Sequence, residues 1–494
     1  MPPSHVLNVD LAKIYTRDGE RFRYLKTIAW GAELFVREIA DDHVRIGVTV
    51  RNESGQWRRV DGFIRPPRSS RLKGKDLVVA PEDSRLLTVE FVDVQQGDAA
   101  IVESPSGKVV LVDGGESQLF ARYLATRFRD TELTKPKEID AIVVTHGDAD
   151  HFEGLPEILE SESLDNGIFI HPRRVFHNGL VKRPSSLPEA EMLGPTTEHD
   201  GVTFVTDLHD DLLQVPDEEM NGPFKLWKKV LRTYSERGPV EIKRLAAGDD
   251  DELAFLADDG VEVSVLGPLV EDTPGGPGLR FLGTPRDDQE LRSQPVRPSH
   301  FVGKSASHTI NGHSVILQLK FGKARFLFAG DLNAQAEEEL VGRHRDGKVD
   351  LTSEVLKAPH HGSADFSPGF LEAVAPVVSV VSSGDEESSK EYVHPRATLM
   401  GALGRWSRPG VPEPIIFVTE LAAFFEKVGP AIPKGGAEAD SFFAFERTAI
   451  GLVKIRTDGE RLLVWTNSAK EDLKEAYAFD LTADPPKRVN LKRA

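Results

Sequence analysis

The segment Ile139-Asp-Ala-Ile-Val-Val-Thr-His-Gly-Asp-Ala-Asp-His151 passes from a nearly all-apolar run into a dense group of histidine and aspartate side chains. Such an apolar run is typical of a strand buried on both faces inside a layered α/β protein. Its carboxyl end leads into His146, Asp148, Asp150 and His151. A pair of divalent cations needs donors packed this closely, because each cation binds about four to six ligand atoms. The alternative is a turn in which the aspartates cap the helix that follows.

Acids and histidines recur at four other places in the chain, and all but the last directly follow an apolar strand: Asp113, Asp331, the pair His360-His361, and His394. Since α/β layers keep their sites at the carboxyl ends of strands, we expect these side chains to converge. The chain has 0 cysteines. Disulfides and thiolate nucleophiles are therefore excluded, and any metal must be held by histidine and carboxylate ligands.

Six motifs accompany these positions. In chain order they are Phe-Val-Asp-Val-x-Gln-Gly-Asp-Ala at 91–99, Leu-Val-Asp-Gly-Gly at 111–115, His-x-Asp-x-Asp-His at 146–151, Phe-Ala-Gly-Asp-Leu at 328–332, Leu-Lys-Ala-Pro-His-His-Gly-Ser at 356–363 and Tyr-Val-His-Pro at 392–395. Together they resemble the metallo-β-lactamase superfamily, in particular the domain attached to bacterial competence (DNA-uptake) channels and the choline-binding phosphodiesterases. The resemblance covers Leu87 to Trp465. It implies an α/β fold, a metallo-β-lactamase αββα sandwich.

The resemblance also implies a set of metal ligands. These are His146, Asp148, Asp150, His151, Asp331, His361 and His394. One cation would be held by the first two residues and by His361, or alternatively by His360. The other would be held by Asp150, His151 and His394, with Asp331 bridging both. His308, which lies where other superfamily members place a ligand, is a further alternative.

Other residues receive supporting roles from the same resemblance. Asp113 matches a carboxylate that orients a ligand histidine. Asp98 either does likewise or belongs to a purely structural turn. His360 is expected to donate a proton or contact a phosphate, and Asp150 to orient the attacking water.

The chain departs from the family pattern at two positions. Asp148 stands where histidine is commoner, and a harder carboxylate ligand makes manganese a competitor to zinc. Gln95 replaces the first glycine of the usual Val-Gly-Gln-Gly-Asp, so the turn there is expected to differ. The cofactors implied are therefore two divalent metal ions, with zinc as the first choice and manganese as the alternative.

Two cations sharing a water allow it to ionise near about pH 7, and the resulting hydroxide attacks the substrate while a protonated His360 supplies a proton to the leaving oxygen. The predicted activity is that of a phosphodiesterase or nuclease. One alternative is a hydrolase of a carboxylic ester, lactone or lactam. An alternative of another class is a non-catalytic binding or regulatory module.

Composition and segment patterns set further limits. Residues 1–84 predict a small β-rich, SH3-like domain ending in a basic linker (65–75), residues 85–468 the hydrolase domain, and residues 469–494 a C-terminal tail. The formal net charge of −18 disfavours nonspecific binding to nucleic acid. A nucleic-acid substrate would need a basic track such as Arg173-Arg174, Lys182-Arg183 or the linker.

The start of the chain lacks the layout of a signal peptide, and no apolar stretch approaches the ~20 residues that span a bilayer. We therefore expect a cytoplasmic protein that does not bind membranes. Its expected substrate is a phosphodiester, with nucleic acid among the candidates, and its expected protein partner binds through the N-terminal domain.

Overall fold

The structure is a computed structural model that describes residues 3–19, 21–51, 56–67, 70–286, 296–384, 394–420, 424–431, 442–449, 451–468 and 473–494. Its first strands, in chain order, are β1 His5–Leu7, β2 Leu11–Asp18, β3 Arg21–Ala29, β4 Glu33–Leu34, β5 Val36–Ile39, β6 Val44–Arg51, β7 Trp57–Ile64 and β8 Val78–Val79. These strands form a five-stranded sheet in the order β3-β2-β7-β6-β5 and a three-stranded sheet in the order β4-β1-β8. The predicted β-rich N-terminal region is thus confirmed, while its likeness to an SH3 domain stays a prediction.

Alternation along the N-terminal strands explains why they pack. In β6, Val44 and Ile46 are buried, whereas Arg45 between them is partly exposed. Successive side chains of a strand point to opposite faces, so this period of two buries one face of the sheet. The buried face packs into a small core with Ile14 and Ile64.

The remaining strands continue the numbering: β9 Leu87–Val92, β10 Ala100–Glu103, β11 Val109–Val112, β12 Lys137–Ile139, β13 Ala141–Val143, β14 Ile170–Pro172, β15 Arg174–His177, β16 Thr196–His199, β17 Val202–Val205, β18 Glu241–Arg244, β19 Val261–Gly267, β20 Glu271–Thr273, β21 Gly276–Arg280, β22 Thr284–Pro285, β23 Phe301–Val302, β24 Ile316–Phe321, β25 Ala324–Phe328, β26 Val355–Lys357, β27 Val378–Val381, β28 Ile415–Val418, β29 Phe424–Ala431, β30 Phe442–Ala449, β31 Gly451–Thr457, β32 Arg461–Ser468, β33 Leu473–Asp480 and β34 Lys487–Val489. A ten-stranded sheet has the order β18-β15-β13-β11-β10-β9-β31-β32-β33-β34, and a six-stranded sheet has the order β19-β24-β25-β26-β27-β28.

The helices lie on the outside of these two sheets. They are α1 Leu119–Arg127, α2 Ala149–Phe152, α3 Pro156–Ser161, α4 Gly222–Arg237, α5 Ala306–Gly312, α6 Ala334–Arg345, α7 Pro368–Val374 and α8 Ala397–Arg405. Within the described residues, none of these helices has the length and apolarity to cross a membrane.

Three apolar clusters define the layers. The inner cluster joins strands of both sheets, for example Val89 of the ten-stranded sheet and Phe326 of the six-stranded sheet. An outer cluster packs α1 and α4 on the first sheet, with Trp227 at its centre. A third packs α6 and α7 on the second sheet, where Phe370 is fully buried. Helices covering the outer faces of two stacked sheets are the predicted αββα sandwich.

Parallel pairing brings the site residues to one edge. Val112 of β11 pairs with Val143 of β13, so Asp113 and His146 follow neighbouring strands at the same end. Phe328 of β25 likewise pairs with Lys357 of β26, just before Asp331 and the double histidine.

Two segments differ from their sequence predictions. The last residues, predicted as a tail, instead contribute β33 and β34 to the ten-stranded sheet, and the Ala494 backbone N–H donates to Leu11 O at 2.8 Å. The stretch 271–298 is rich in Gly, Pro and charged residues, which predicts an exposed loop. It contains β20, β21 and β22, although part of it lies outside the described residues. Edge pairing of this kind depends on distant strands and leaves little trace in local composition.

Candidate metal centre

His151 is fixed by the strand-end acid Asp113. The backbone N–H and the hydroxyl of Thr145 each donate to Asp113 at 2.7 Å, and Asp113 Oδ2 lies 2.8 Å from His151 Nδ1. An imidazole whose Nδ1–H is held by a carboxylate presents its Nε2 lone pair on the opposite side. This contact is consistent with the role that the resemblance implies for Asp113, which stays a prediction.

His361 is held in the same manner from the other sheet. It follows β26 in the left-handed region, at φ 52°. Its Nδ1 lies 3.2 Å from Ser382 O and 3.3 Å from Asp98 Oδ1. Ser382 O is thus the hydrogen-bond partner of this nitrogen, and Asp98 lies at ion-pair distance on the same side of the ring.

The two Nε2 atoms meet at the centre of the site. His151 Nε2 and His361 Nε2 are 3.2 Å apart, and Asp331 lies 3.2 Å from the first and 3.0 Å from the second. Asp150 Oδ2 lies 3.3 Å from His361 Nε2 and accepts a 2.9 Å hydrogen bond from Gln96. Two imidazoles and two carboxylates converging in a buried space are the donor set that a divalent cation such as zinc or manganese binds.

His146 and Asp148 form a second, differently built part of the site. His146 Nδ1 lies 3.3 Å from Ser314 Oγ, and its buried Nε2 has no hydrogen-bond partner within the described residues. The His146 ring centroid is 4.0 Å from that of His151. Buried polar atoms almost always have a partner, so an unsatisfied Nε2 beside the cluster is what a metal ligand leaves when its cation is absent.

His361 and His394 are the last two histidines of the implied ligand set. His361 Nε2 lies 3.3 Å from Asp150 Oδ2 and 3.2 Å from His151 Nε2. Its assignment to the cation of His146 and Asp148 stays a prediction. The ring centroid of His394 is 6.1 Å from that of His360, whose Nε2 is 3.9 Å from Asp331 Oδ2. His360 and His394 thus border the cluster on one side.

Electrostatics within the cluster are dominated by burial and by the opposite charges. Burial alone lowers the pKa of His151, but the carboxylates of Asp331 and Asp113 raise it well above its usual range. Burial raises the pKa of Asp331, whereas His361 and His151 hold it well below its usual range. Burial lowers the pKa of His360, which works against the protonated form expected of a proton donor. The proton-donor role of His360 stays a prediction.

Two lysines complete the site: Lys182, which belongs to the basic track predicted from the sequence, and Lys357, which comes just before the double histidine. The buried Lys357 forms a salt bridge with Asp98 and donates to Gly330 O at 3.0 Å. Lys182 Nζ lies 2.9 Å from Asp148 Oδ1. Lys357 directly precedes the Ala-Pro-His-His motif, which was a usable signal, whereas nothing in the sequence near Lys182 identifies its partner.

The arginines of the predicted basic track and His308 have partners outside the centre. Arg173 pairs with Glu138, Arg174 with Glu241, Arg183 with Asp207 and His308 with Asp365. Two further histidines contact backbone oxygens, His313 that of Arg280 and His177 that of Asp210. Of the predicted track, Lys182 reaches the centre, and these arginines are matched by carboxylates.

The turn before Asp98 positions Asp150 through its backbone. Gly97 has φ +102°, and a Cβ built there would lie 1.7 Å from Asp150 O. The Asp98 backbone N–H donates to the same oxygen at 3.3 Å. Gln95 keeps a left-handed φ of 67° although it replaces a glycine of the family motif. Close backbone approach of this kind requires glycine at position 97.

Comparison with known proteins agrees with this geometry. The family model described as "Metallo-beta-lactamase superfamily" matches residues 92–367. The chain is 43% identical over 86 residues to "Competence protein ComA" of Neisseria gonorrhoeae, which covers 17% of this chain and 12% of that protein. It is 21% identical over 337 residues to "ComE operon protein 3" of Bacillus subtilis (strain 168), which covers 65% of this chain and 31% of that protein. The chain thus spans less than a third of either relative.

Proposed function

Because the chain belongs to the metallo-β-lactamase superfamily, we propose that it is a metal-dependent hydrolase that cleaves phosphodiesters. The observation that carries the proposal is the convergence of three side chains on His361 Nε2, namely His151 at 3.2 Å, Asp150 at 3.3 Å and Asp331 at 3.0 Å. Divalent cations bound by such a set supply Lewis-acid activation of water and neutralise charge that develops on the substrate oxygens.

The residues of the chain itself perform the remaining tasks. Asp113 and Asp98 hold the two imidazoles so that both Nε2 atoms face inward. Gln96 donates to Asp150, which fixes the carboxylate that we expect to orient the attacking water. Groups held in advance in this way need no reorganisation during the reaction, which is the main source of electrostatic catalysis.

Two partly exposed side chains of the centre are evidence for an anionic substrate. His360 and Lys182 are 24% and 29% exposed, whereas His151 is fully buried. An ammonium group and an imidazole N–H donate to the anionic oxygens that a phosphodiester carries and a neutral ester lacks. That one relative is named a competence protein is consistent with a nucleic-acid substrate.

The proposal is tested by assaying purified protein, with added Zn²⁺ or Mn²⁺, on single-stranded and duplex DNA, RNA and bis(p-nitrophenyl) phosphate. p-Nitrophenyl acetate, a lactone and a lactam form the competing arm. We expect turnover of one or more phosphodiesters that is lost in Asp331→Ala. Lys320→Met, which alters an exposed lysine paired with Glu262, is the control.

Undiminished phosphodiester turnover in Asp331→Ala would contradict the proposed centre. Turnover of only the acetate, lactone or lactam would assign the same centre to carboxylic substrates. No turnover of any substrate by metal-loaded protein would favour the non-catalytic module.

A further inference from the structure

The two parts of the metal centre are unequal in their donors. One part collects Asp150, His151 and His361 around Asp331. The other part contains His146 and Asp148, and both oxygens of Asp148 lie within hydrogen-bonding distance of nitrogen donors. In the described portion of the chain, His308, the further alternative ligand, pairs with Asp365, and His177 and His313 contact backbone oxygens.

Both oxygens of Asp148 face proton donors. Lys182 Nζ lies 2.9 Å from Oδ1. Asn311, with its amide turned so that the nitrogen donates, lies 3.0 Å from Oδ2 and 3.1 Å from Ser307 O. A carboxylate that already accepts from an ammonium and an amide is a weaker ligand for a cation than one that faces empty space.

The Lys182 ammonium group also places a positive charge next to the position that a second cation would take at Asp148. Two positive charges within about 4 Å of each other repel by several kcal/mol at the effective dielectric of a protein surface. Lys182 is 29% exposed and Asp148 19% exposed, so solvent screens this repulsion only in part. A second divalent ion beside His146 must either displace the ammonium from Asp148 or bind next to it.

We propose that Lys182 supplies the second positive charge of this centre, so that one divalent cation binds tightly at Asp150, His151, Asp331 and His361, and the position beside His146 and Asp148 binds a second cation only weakly. The inference rests on the proposed metal dependence but not on the identity of the substrate. An ammonium group has three N–H donors, and one is used on Asp148. The other two are available to an anionic oxygen of a substrate, in the place where a second metal would otherwise contact it.

The test counts metal ions and measures their affinities, with no use of turnover. Protein freed of metal with a chelator is titrated with Zn²⁺ and, separately, with Mn²⁺ by calorimetry, and bound metal is counted by elemental analysis after gel filtration. We expect about one tightly held ion per chain and a second step at least tenfold weaker. Lys182→Met is expected to strengthen the second step about tenfold or more and to leave the first unchanged.

Three variants keep the result interpretable. Lys182→Arg retains the charge and is expected to behave as the wild type. Lys108→Met is the matched control, because Lys108 is 27% exposed and also pairs with a carboxylate, Asp259 at 3.3 Å, away from the centre. Asp148→Asn is expected to abolish the weak step and keep the tight one, and it remains informative if Lys182→Met fails to fold.

Two equally tight ions in the wild type, or an unchanged second step in a folded Lys182→Met, would overturn the proposal. Absence of any tight ion in the wild type would instead refute the metal dependence of the proposed function, so the two failures are distinguishable.

Discussion

Two buried clusters of charged side chains differ in how their charges are compensated. In the first, Glu90 accepts from Tyr123 OH at 2.6 Å and from Lys454 Nζ at 2.9 Å, with Arg127 at 3.5 Å. In the metal centre, two imidazole Nε2 atoms face each other and His146 Nε2 has no hydrogen-bond partner within the described residues.

The comparison shows that buried charges can serve stability in one cluster and function in another. A buried carboxylate is tolerated when fixed cations and donors compensate it, and the Glu90 cluster is complete without any ligand. The metal centre also contains lysines that pair with its acids, but it leaves the buried His146 Nε2 without a hydrogen-bond partner within the described residues. We therefore expect changes in the first cluster to alter stability, and changes in the second to alter metal binding and turnover.

The largest expected effect is that of His361→Ala. Loss of a ligand removes several kcal/mol of transition-state stabilisation, so phosphodiester turnover should fall about a thousandfold. The increase in Tm that saturating metal produces in the wild type should disappear as well, because a ligand stabilises only the state that binds it. Steady-state kinetics and thermal melts with and without Zn²⁺ measure both; normal values for either would show that His361 is not a ligand.

Gly97→Ala tests whether the backbone of the Gln-Gly-Asp turn positions Asp150. The added Cβ meets Asp150 O at 1.7 Å, so the turn must move, at about 4 kcal/mol of stability and with weakened metal binding. Gly107→Ala is the matched control, with φ +88° and no atom within 4 Å of its Cβ. It should cost about 1 kcal/mol and leave metal binding intact. Equal losses in the two variants would contradict the close approach.

Glu90→Gln probes the compensated cluster. Burial by itself raises the pKa of Glu90, but Lys454 and Arg127 lower it to about 2. A folded pKa below the unfolded one stabilises the protein above the unfolded value near pH 4.5, and this contribution is lost as pH falls toward 2. We expect the free energy of unfolding at pH 7 to drop by about 3 kcal/mol, with turnover per folded molecule unchanged.

The difference in the free energy of unfolding between the wild type and Glu90→Gln should become smaller as the pH is lowered from 5 to 2. Urea unfolding at each pH measures it. A deficit that does not change with pH would show that Glu90 is not held ionised by its neighbours.

The smallest expected effect is that of Asp113→Asn. The amide still contacts His151 but no longer favours the tautomer whose Nε2 faces the cluster, and the loss of such a contact costs roughly 10–100-fold in metal affinity. Calorimetric titration with Zn²⁺ measures it. Asp140→Asn, at a carboxylate that accepts from the Val109 N–H at 2.8 Å, is the control. Wild-type affinity in Asp113→Asn would remove Asp113 from the centre.

Much of the fold and many of the site residues could be predicted from the sequence. The apolar strand before His146, the acids and histidines that follow other strands, and the absence of cysteine together indicated the superfamily and most of the donor residues. These are local signals, because a buried strand and the turn after it are contiguous in sequence.

Which donors share a cation was decided only in three dimensions. His361 and His151 are 210 positions apart, and the stacking of two separate sheets brings their Nε2 atoms to 3.2 Å. The contact of Lys182 with Asp148 and the addition of β33 to the sheet edge depend on the same packing. Composition and spacing record which chemical groups are present, whereas the partners of each group follow from the distances that tertiary packing imposes on residues far apart in the chain.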